Sequence, residues 1–159
     1  MKRRLALGAI SLVGLIVLAG ADKPVSEASR FAAKIKTVTI HDLEAQPARK
    51  YTRQDFANAA EAPLDPRLFR MLARDTQFRD DRVAWMGSRL AVVEMADGST
   101  RHLALSYYGG FFKILGEDGC YVFEGKARKT WDKVFLKAIV QEQFIPARIA
   151  RKRGNAKGK

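Results

Sequence analysis

Four short apolar runs between residues 90 and 123, separated by glycine-containing turns, restrict the possible folds of this chain more than any other feature. Asp97-Gly98 and Gly109-Gly110 are typical of two-residue hairpin loops, because glycine and aspartate tolerate the positive φ that such loops require. The third turn, residues 116–119, begins and ends with glycine. The pattern predicts an antiparallel meander of four strands.

Two-residue loops also fix which residues face each other across the meander. With a type I′ loop at Asp97-Gly98, Leu90 lies opposite Leu105, and with a loop at Gly109-Gly110, Leu105 lies opposite Ile114. The third turn closes in either of two ways that differ by two residues, so both keep the same alternation. We therefore predict one core face, formed by Leu90, Val92, Leu103, Leu105, Tyr107, Phe112, Ile114, Tyr121 and Phe123.

After Phe123 the apolar period changes from two to 3.6. Apolar residues recur at helical spacing and predict one amphipathic helix that ends before Pro146. The stripe consists of Trp131, Val134, Phe135, Ala138 and Ile139. Since this stripe and the aromatic face of the meander have no other apparent partner, we expect them to pack together.

The preceding segment predicts smaller elements. Residues 35–41 are rich in β-branched residues and predict a strand at the sheet edge. Thr52 and Asp65 are expected N-caps of two short helices that cover part of the second sheet face. Residues 74–82 form a charged connector, and residues 83–86 are either a short strand or the start of the first meander strand. The sequence predicts an α+β domain over residues 35–145, with a four- to six-stranded antiparallel meander sheet, a C-terminal helix on one face and short N-terminal helices.

The N-terminus has the features of an export signal. Basic residues 2–4 precede an apolar run over residues 5–18, and Ala19-Gly20-Ala21 supplies the small residues that signal peptidase recognises. We predict a signal peptide over residues 1–21, a linker over residues 22–34, and a periplasmic or secreted protein. The alternative is an uncleaved inner-membrane anchor at residues 5–21, although this run is shorter than a typical spanning helix.

The net charge of +12 is concentrated near the C-terminus. Six basic residues and no acidic residue follow residue 147: Arg148, Arg151, Lys152, Arg153, Lys157 and Lys159. We predict a basic disordered tail over residues 146–159, which would be attracted to an anionic envelope component. Specific nucleic-acid binding is not expected, because residues 22–147 carry little net charge.

Few residues have the arrangement that catalysis needs. His41 and His102 are the only histidines, and His41 stands beside Asp42 and Glu44 without a recognised metal-ligand spacing. The sole cysteine, Cys120, excludes an intrachain disulfide. We predict no catalytic residue, no cofactor and no metal site.

The turn between the second and third meander strands is the best candidate for a binding surface. The predicted register leaves Tyr108 and Phe111 on the second face, and Met95 extends this patch. The alternative is a covered cross-strand pair that contributes only to packing. We expect a small exported non-enzymatic domain that binds an unknown protein or envelope component. The alternatives are a small exported hydrolase with a carboxylate or histidine site, or a membrane-anchored structural protein of the envelope.

Overall fold

A computed structural model describes residues 26–46, 48–80, 88–106, 108 and 110–157, with side chains as far as residue 153. The described strands are β1 (Ile35–Glu44), β2 (Glu61–Leu64), β3 (Thr76–Arg79), β4 (Ser88–Met95), β5 (Thr100–Ser106), β6 (Phe111–Ile114) and β7 (Cys120–Phe123). They form one antiparallel sheet in the order β2-β1-β4-β5-β6-β7-β3. The α+β class is confirmed, and the described sheet has seven strands.

The helical elements lie before, between and after these strands. They are α1 (Glu27–Ala33), α2 (Arg53–Ala57), α3 (Pro66–Ala73), α4 (Gly125–Trp131), a π-helical segment (Asp132–Phe144) and α5 (Ile145–Lys157). Helices α1, α3, α4 and the π-helical segment pack on one side of the sheet, which we call the first face. Helix α2 covers the opposite, second face.

The core on the first face confirms the predicted packing of the C-terminal helix. Trp131, Phe135 and Ile139 are buried in one cluster with Leu103 and Leu105. The Trp131 ring lies 4.7 Å from the ring of Phe135, and its Nε1 donates a hydrogen bond of 2.9 Å to a backbone carbonyl of β5. This bond satisfies the buried indole and fixes the helix against the sheet.

The first hairpin differs from the prediction by one residue. The backbone N–H of Gly98 donates to the Met95 carbonyl at 3.0 Å, the Met95 N–H donates to the Ser99 carbonyl at 2.8 Å, and Gly98 has a φ of +82°. These features define a three-residue loop with a glycine bulge. Leu90 consequently lies opposite Ala104 and faces the second face. The predicted core-face positions of Leu90 and Val92 were wrong.

The other two meander turns differ from the predicted turns by even numbers of residues, so the residues of β5, β6 and β7 face the predicted sides of the sheet. Leu105 lies opposite Phe112, whereas the prediction paired it with Ile114. Phe112 lies opposite Tyr121, so neither predicted pairing of the third turn was correct. Since side chains alternate with a period of two, Phe112, Ile114 and Tyr121 still reach the first-face core. Tyr107 lies outside the described residues.

The C-terminal prediction was wrong over residues 146–157. The helix continues through Pro146 as α5, where a disordered tail was predicted. Proline is tolerated there because it occupies the second position of α5 and follows a change from π-helical to α-helical geometry. The Ile145 N–H still donates to the Val140 carbonyl five residues earlier, as in a π-helix.

Two N-terminal predictions were also wrong. The predicted linker contains α1, which begins after the N-cap Ser26 and buries Ala28 and Ala32. The predicted charged connector contains β3, which pairs with β7 at the sheet edge. In both segments, tertiary packing supplies stability that local sequence does not reveal.

The caps at Thr52 and Asp65 are confirmed for α2 and α3. The prediction that both helices cover the second face was correct only for α2, because α3 buries Phe69 in the first-face core. The signal-peptide prediction for residues 1–21 and the strand prediction for residues 83–86 lie outside the described residues.

Candidate functional site

The three residues predicted to form a binding patch do not share one surface. Tyr108 is 73% exposed, whereas Phe111 and Met95 are buried. Phe111 lies opposite Val122 and alternates with the core residue Phe112, so it points to the second face. Met95 points to the first face because the three-residue loop reversed the facing of β4.

Met95 instead lies in a cleft of about 330 Å³ between α1 and the ends of β4–β7. The floor of this cleft is apolar and consists of Phe31, Met95, Ile114 and Tyr121. Its rim carries three acidic and three basic side chains: Glu27, Asp97, Glu117, Arg30, Lys34 and Arg101. We call this site the α1 cleft. Its size is near the lower end of the range for small-ligand sites.

A direct hydrogen bond joins the two walls of the α1 cleft. The N–H of Ala96, in the β4–β5 loop, donates to the carbonyl of Lys34 at 2.7 Å. The Asp97 carboxylate accepts from the N–H of Ser99 at 2.9 Å and from its hydroxyl. The two hydrogen bonds from Ser99 lower the pKa of Asp97, so its side chain supplies a fixed negative charge at the rim.

Tyr121 joins the floor of the cleft to its rim. Its ring stacks on Phe112 with a centroid distance of 5.0 Å. Burial, together with the charge and hydrogen bond of Glu27, raises the pKa of the Tyr121 phenol to about 12. The phenol stays protonated near pH 7, and its O–H donates a hydrogen bond to the Glu27 carboxylate, which keeps that carboxylate at the cleft.

The two histidines lie apart from this cleft. His41 is buried on the second face beside α2, where its ring meets the Phe56 ring edge-on at 4.9 Å. Its Nδ1 lies 4.0 Å from the Glu61 carboxylate and makes no hydrogen bond to the described residues. Burial lowers the pKa of His41, with an opposing effect from Glu61. His102 lies nearby, with the Tyr51 ring 6.4 Å away.

Asp42 does not join His41 in a ligand set. Its side chain is 5% exposed and pairs with Arg89, whose Nε lies 3.0 Å from Asp42 Oδ1. Arg148 of α5 forms a second ion pair with the same carboxylate. Among residues 26–46, 48–80, 88–106, 108 and 110–157, no group of three or more His, Cys, Asp or Glu residues could hold a metal ion. The Asp42 site is a structural link between β1, β4 and α5.

The predicted electrostatic residues lie on or after α5. Arg148 pairs with Asp42, while Arg151, Lys152 and Arg153 are exposed. The Lys157 side chain and Lys159 are outside the described part of the chain.

Sequence reasoning missed the basic and acidic side chains that α1 contributes to the cleft, because residues 22–34 were assigned to a linker. The N-cap Ser26, followed by alanines at positions 28 and 32, was the available signal, since alanines four residues apart share one helix face.

Comparisons with protein-family models, with curated proteins and with solved structures found no match. In the portion covered by the structure, every helix is too short or too polar to cross a membrane.

Proposed function

We propose that this chain is a small exported binding domain of the cell envelope, and that the α1 cleft binds a short peptide segment of a partner protein. The observation that carries the proposal is the apolar cleft floor surrounded by charges of both signs. A peptide offers apolar side chains for such a floor and charged groups for such a rim. Export is supported by residues 1–21, in which basic residues are followed by an apolar run and then by small residues.

The dimensions of the cleft favour a short ligand segment. A volume of about 330 Å³ accommodates a few side chains rather than a folded surface. Burying one large aliphatic side chain contributes about 1.5–3 kcal/mol. The charged rim adds orientation and selectivity more than affinity. We therefore expect weak, selective binding, with dissociation constants in the micromolar range or above.

Peptide selection against the full chain tests this proposal. A displayed library of random heptapeptides is enriched on the wild-type protein, and the consensus peptide is then measured by fluorescence polarisation. We expect Arg101→Glu, which reverses one rim charge, to weaken binding at least fivefold. Lys129→Glu, at an exposed position of α4, is the matched control outside the cleft. Equal affinities for both variants and the wild type, or no enriched peptide, would refute a peptide site in this cleft.

Export is tested separately by N-terminal sequencing of the protein recovered from each cell fraction. If the chain is cleaved after Ala21, the protein recovered from the envelope or the medium should begin at Asp22. An intact N-terminus in the membrane fraction would instead support the anchor at residues 5–21. Exclusive recovery from the cytoplasm would refute envelope localisation.

A further inference from the structure

The outward side of α5 combines exposed aliphatic and basic residues. Ile145 and Ile149 are 42% and 47% exposed. They are four residues apart in a helix, so they lie next to each other on one face. Lys152 and Arg153 follow Ile149 by three and four residues, which places them beside the same pair. We call Ile145, Ile149, Lys152 and Arg153 the outer face of α5.

The start of α5 is held so that this face points away from the fold. Phe144, immediately before α5, is fully buried in the first-face core. Arg148 pairs with Asp42, whose side chain is almost fully buried on β1. These two contacts anchor the start of α5 on the fold along the side that borders Ile145. The exposed isoleucines are therefore fixed on the outside.

We propose that the outer face of α5 docks on the surface of an anionic phospholipid bilayer. Residues 145–157 contain five basic residues and no acidic residue, so the whole helix is attracted to negative headgroups. Ile145 and Ile149 would enter the boundary between headgroups and acyl chains, as apolar residues of interfacial helices do. A hydrated polyanion offers the isoleucines no apolar environment, so the exposed pair favours lipid over a soluble polymer. The inference rests on the proposed function only in placing the chain at the envelope.

Lipid docking is tested with the full chain and two kinds of vesicle, one of neutral phosphatidylcholine and one with about a third of its lipid replaced by phosphatidylglycerol. The apolar N-terminal segment can bind both kinds, so the measured quantity is the ratio of the two partition coefficients. We expect this ratio to exceed ten at low salt and to fall as salt is added.

Two pairs of substitutions separate the apolar contribution from the electrostatic one. Lys152→Gln with Arg153→Gln should lower partitioning onto anionic vesicles roughly 25-fold, since each basic residue near such a surface contributes about fivefold. Ile145→Gln with Ile149→Gln should lower it roughly tenfold. The matched controls are Lys126→Gln with Lys129→Gln on α4, and the exposed Met71→Gln on α3. The controls should change partitioning less than twofold.

A local probe reports insertion of α5 independently of the N-terminal segment. Ile149→Cys is labelled with a polarity-sensitive fluorophore, while the native Cys120 is buried. We expect the fluorescence emission of this label to shift to the blue with anionic vesicles but not with neutral ones. A label at Met71→Cys should show no shift with either kind. Lipid docking would be overturned by a label whose emission does not shift or by a ratio of partition coefficients near one. It would also be overturned if the variant with Ile145→Gln and Ile149→Gln partitioned as strongly as wild type. A further contrary result would be that soluble polyphosphate binds wild type and the isoleucine variant equally, and that the protein shows no preference for lipid over polyphosphate. Peptide binding in the α1 cleft is unaffected by these outcomes, so the two proposals fail separately.

Discussion

Replacing Asp42 with asparagine tests how α5 is attached to the sheet. Asp42→Asn keeps the size of the side chain and removes the charge that lies between two arginines. The Asp42 and Arg89 side chains are only 5% and 10% exposed, whereas the Arg148 side chain is 46% exposed. The two ion pairs that share one carboxylate therefore lie in different environments.

The exposures predict unequal costs for the two ends of this network. Removing one partner of a buried ion pair costs about 3–5 kcal/mol, because the remaining charge stays in a poorly solvated environment. An exposed ion pair contributes at most about 1 kcal/mol. We expect Asp42→Asn to lower the free energy of unfolding by about 3 kcal/mol, through the effect on Arg89. Arg148→Gln should lower it by about 1 kcal/mol, since Arg89 still neutralises Asp42.

Urea unfolding, followed by tryptophan fluorescence of the full chain, measures both changes. Trp131 is fully buried and reports on the packing of the helix against the sheet. The double variant should cost less than the sum of the single changes, because each single change already removes the ion pair between Asp42 and Arg148. If Asp42→Asn costs no more than Arg148→Gln, the reasoning from burial is wrong.

Three further perturbations have predicted signs. Gly98 has a φ of +82°, which strains residues that carry a side chain. In urea unfolding, Gly98→Ala should therefore destabilise the fold by about 1–2 kcal/mol and Gly98→Asn by less. Equal costs for the two variants would contradict backbone strain at this position. Burial lowers the pKa of His41 below 6.5, so stability should fall as pH decreases from 6.5 through the folded-state pKa, and His41→Leu should reduce that fall. The pKa of Tyr121 is raised from 10 to about 12. Wild type should therefore lose stability relative to Tyr121→Phe between pH 10 and 12, which alkaline unfolding curves measure.

The meander faces show what alternation can predict. The facing of β5, β6 and β7 was predicted because the true second and third turns differ from the assumed ones by even numbers of residues, which leaves the alternation of side chains unchanged. The segment Leu90-Ala91-Val92-Val93 in β4 is apolar on both faces, so its pattern does not determine which side is inward. Ala96-Asp97-Gly98 fits both a two-residue and a three-residue loop. The hydrogen bonds from Ser99 to Asp97 accompany the longer loop, and this choice moved Met95 into the α1 cleft.

The α1 cleft was not predictable from local pattern. Helix α1 has only seven residues, and its buried positions are alanines, which give little periodic signal. The wall of the cleft comes from residues far apart in sequence, since the Ala96 N–H donates to Lys34. The Arg30, Lys34 and Arg101 side chains are ordinary surface charges in the sequence. Only the tertiary fold places them around an apolar floor.

The helix that packs on the first face shows how a change of helical geometry extends the core. An apolar period of 3.6 predicts that Val134 and Ala138 face the core, yet both are only half-buried. Val140 and Phe144 are buried instead. In an ideal α-helix Phe144 would lie more than a third of a turn from the direction of Trp131.

The π-helical segment Asp132–Phe144 is wound more widely than an α-helix, because its hydrogen bonds span five residues. Steps of four and five residues therefore keep Trp131, Phe135, Val140 and Phe144 on one side. Seating Phe144 in the core determines where α5 begins and brings Arg148 to the Asp42 carboxylate. Because the inner side of α5 is occupied in this way, the orientation of its outer isoleucines is a consequence of core packing. Lipid docking by α5 therefore requires no rearrangement of the fold.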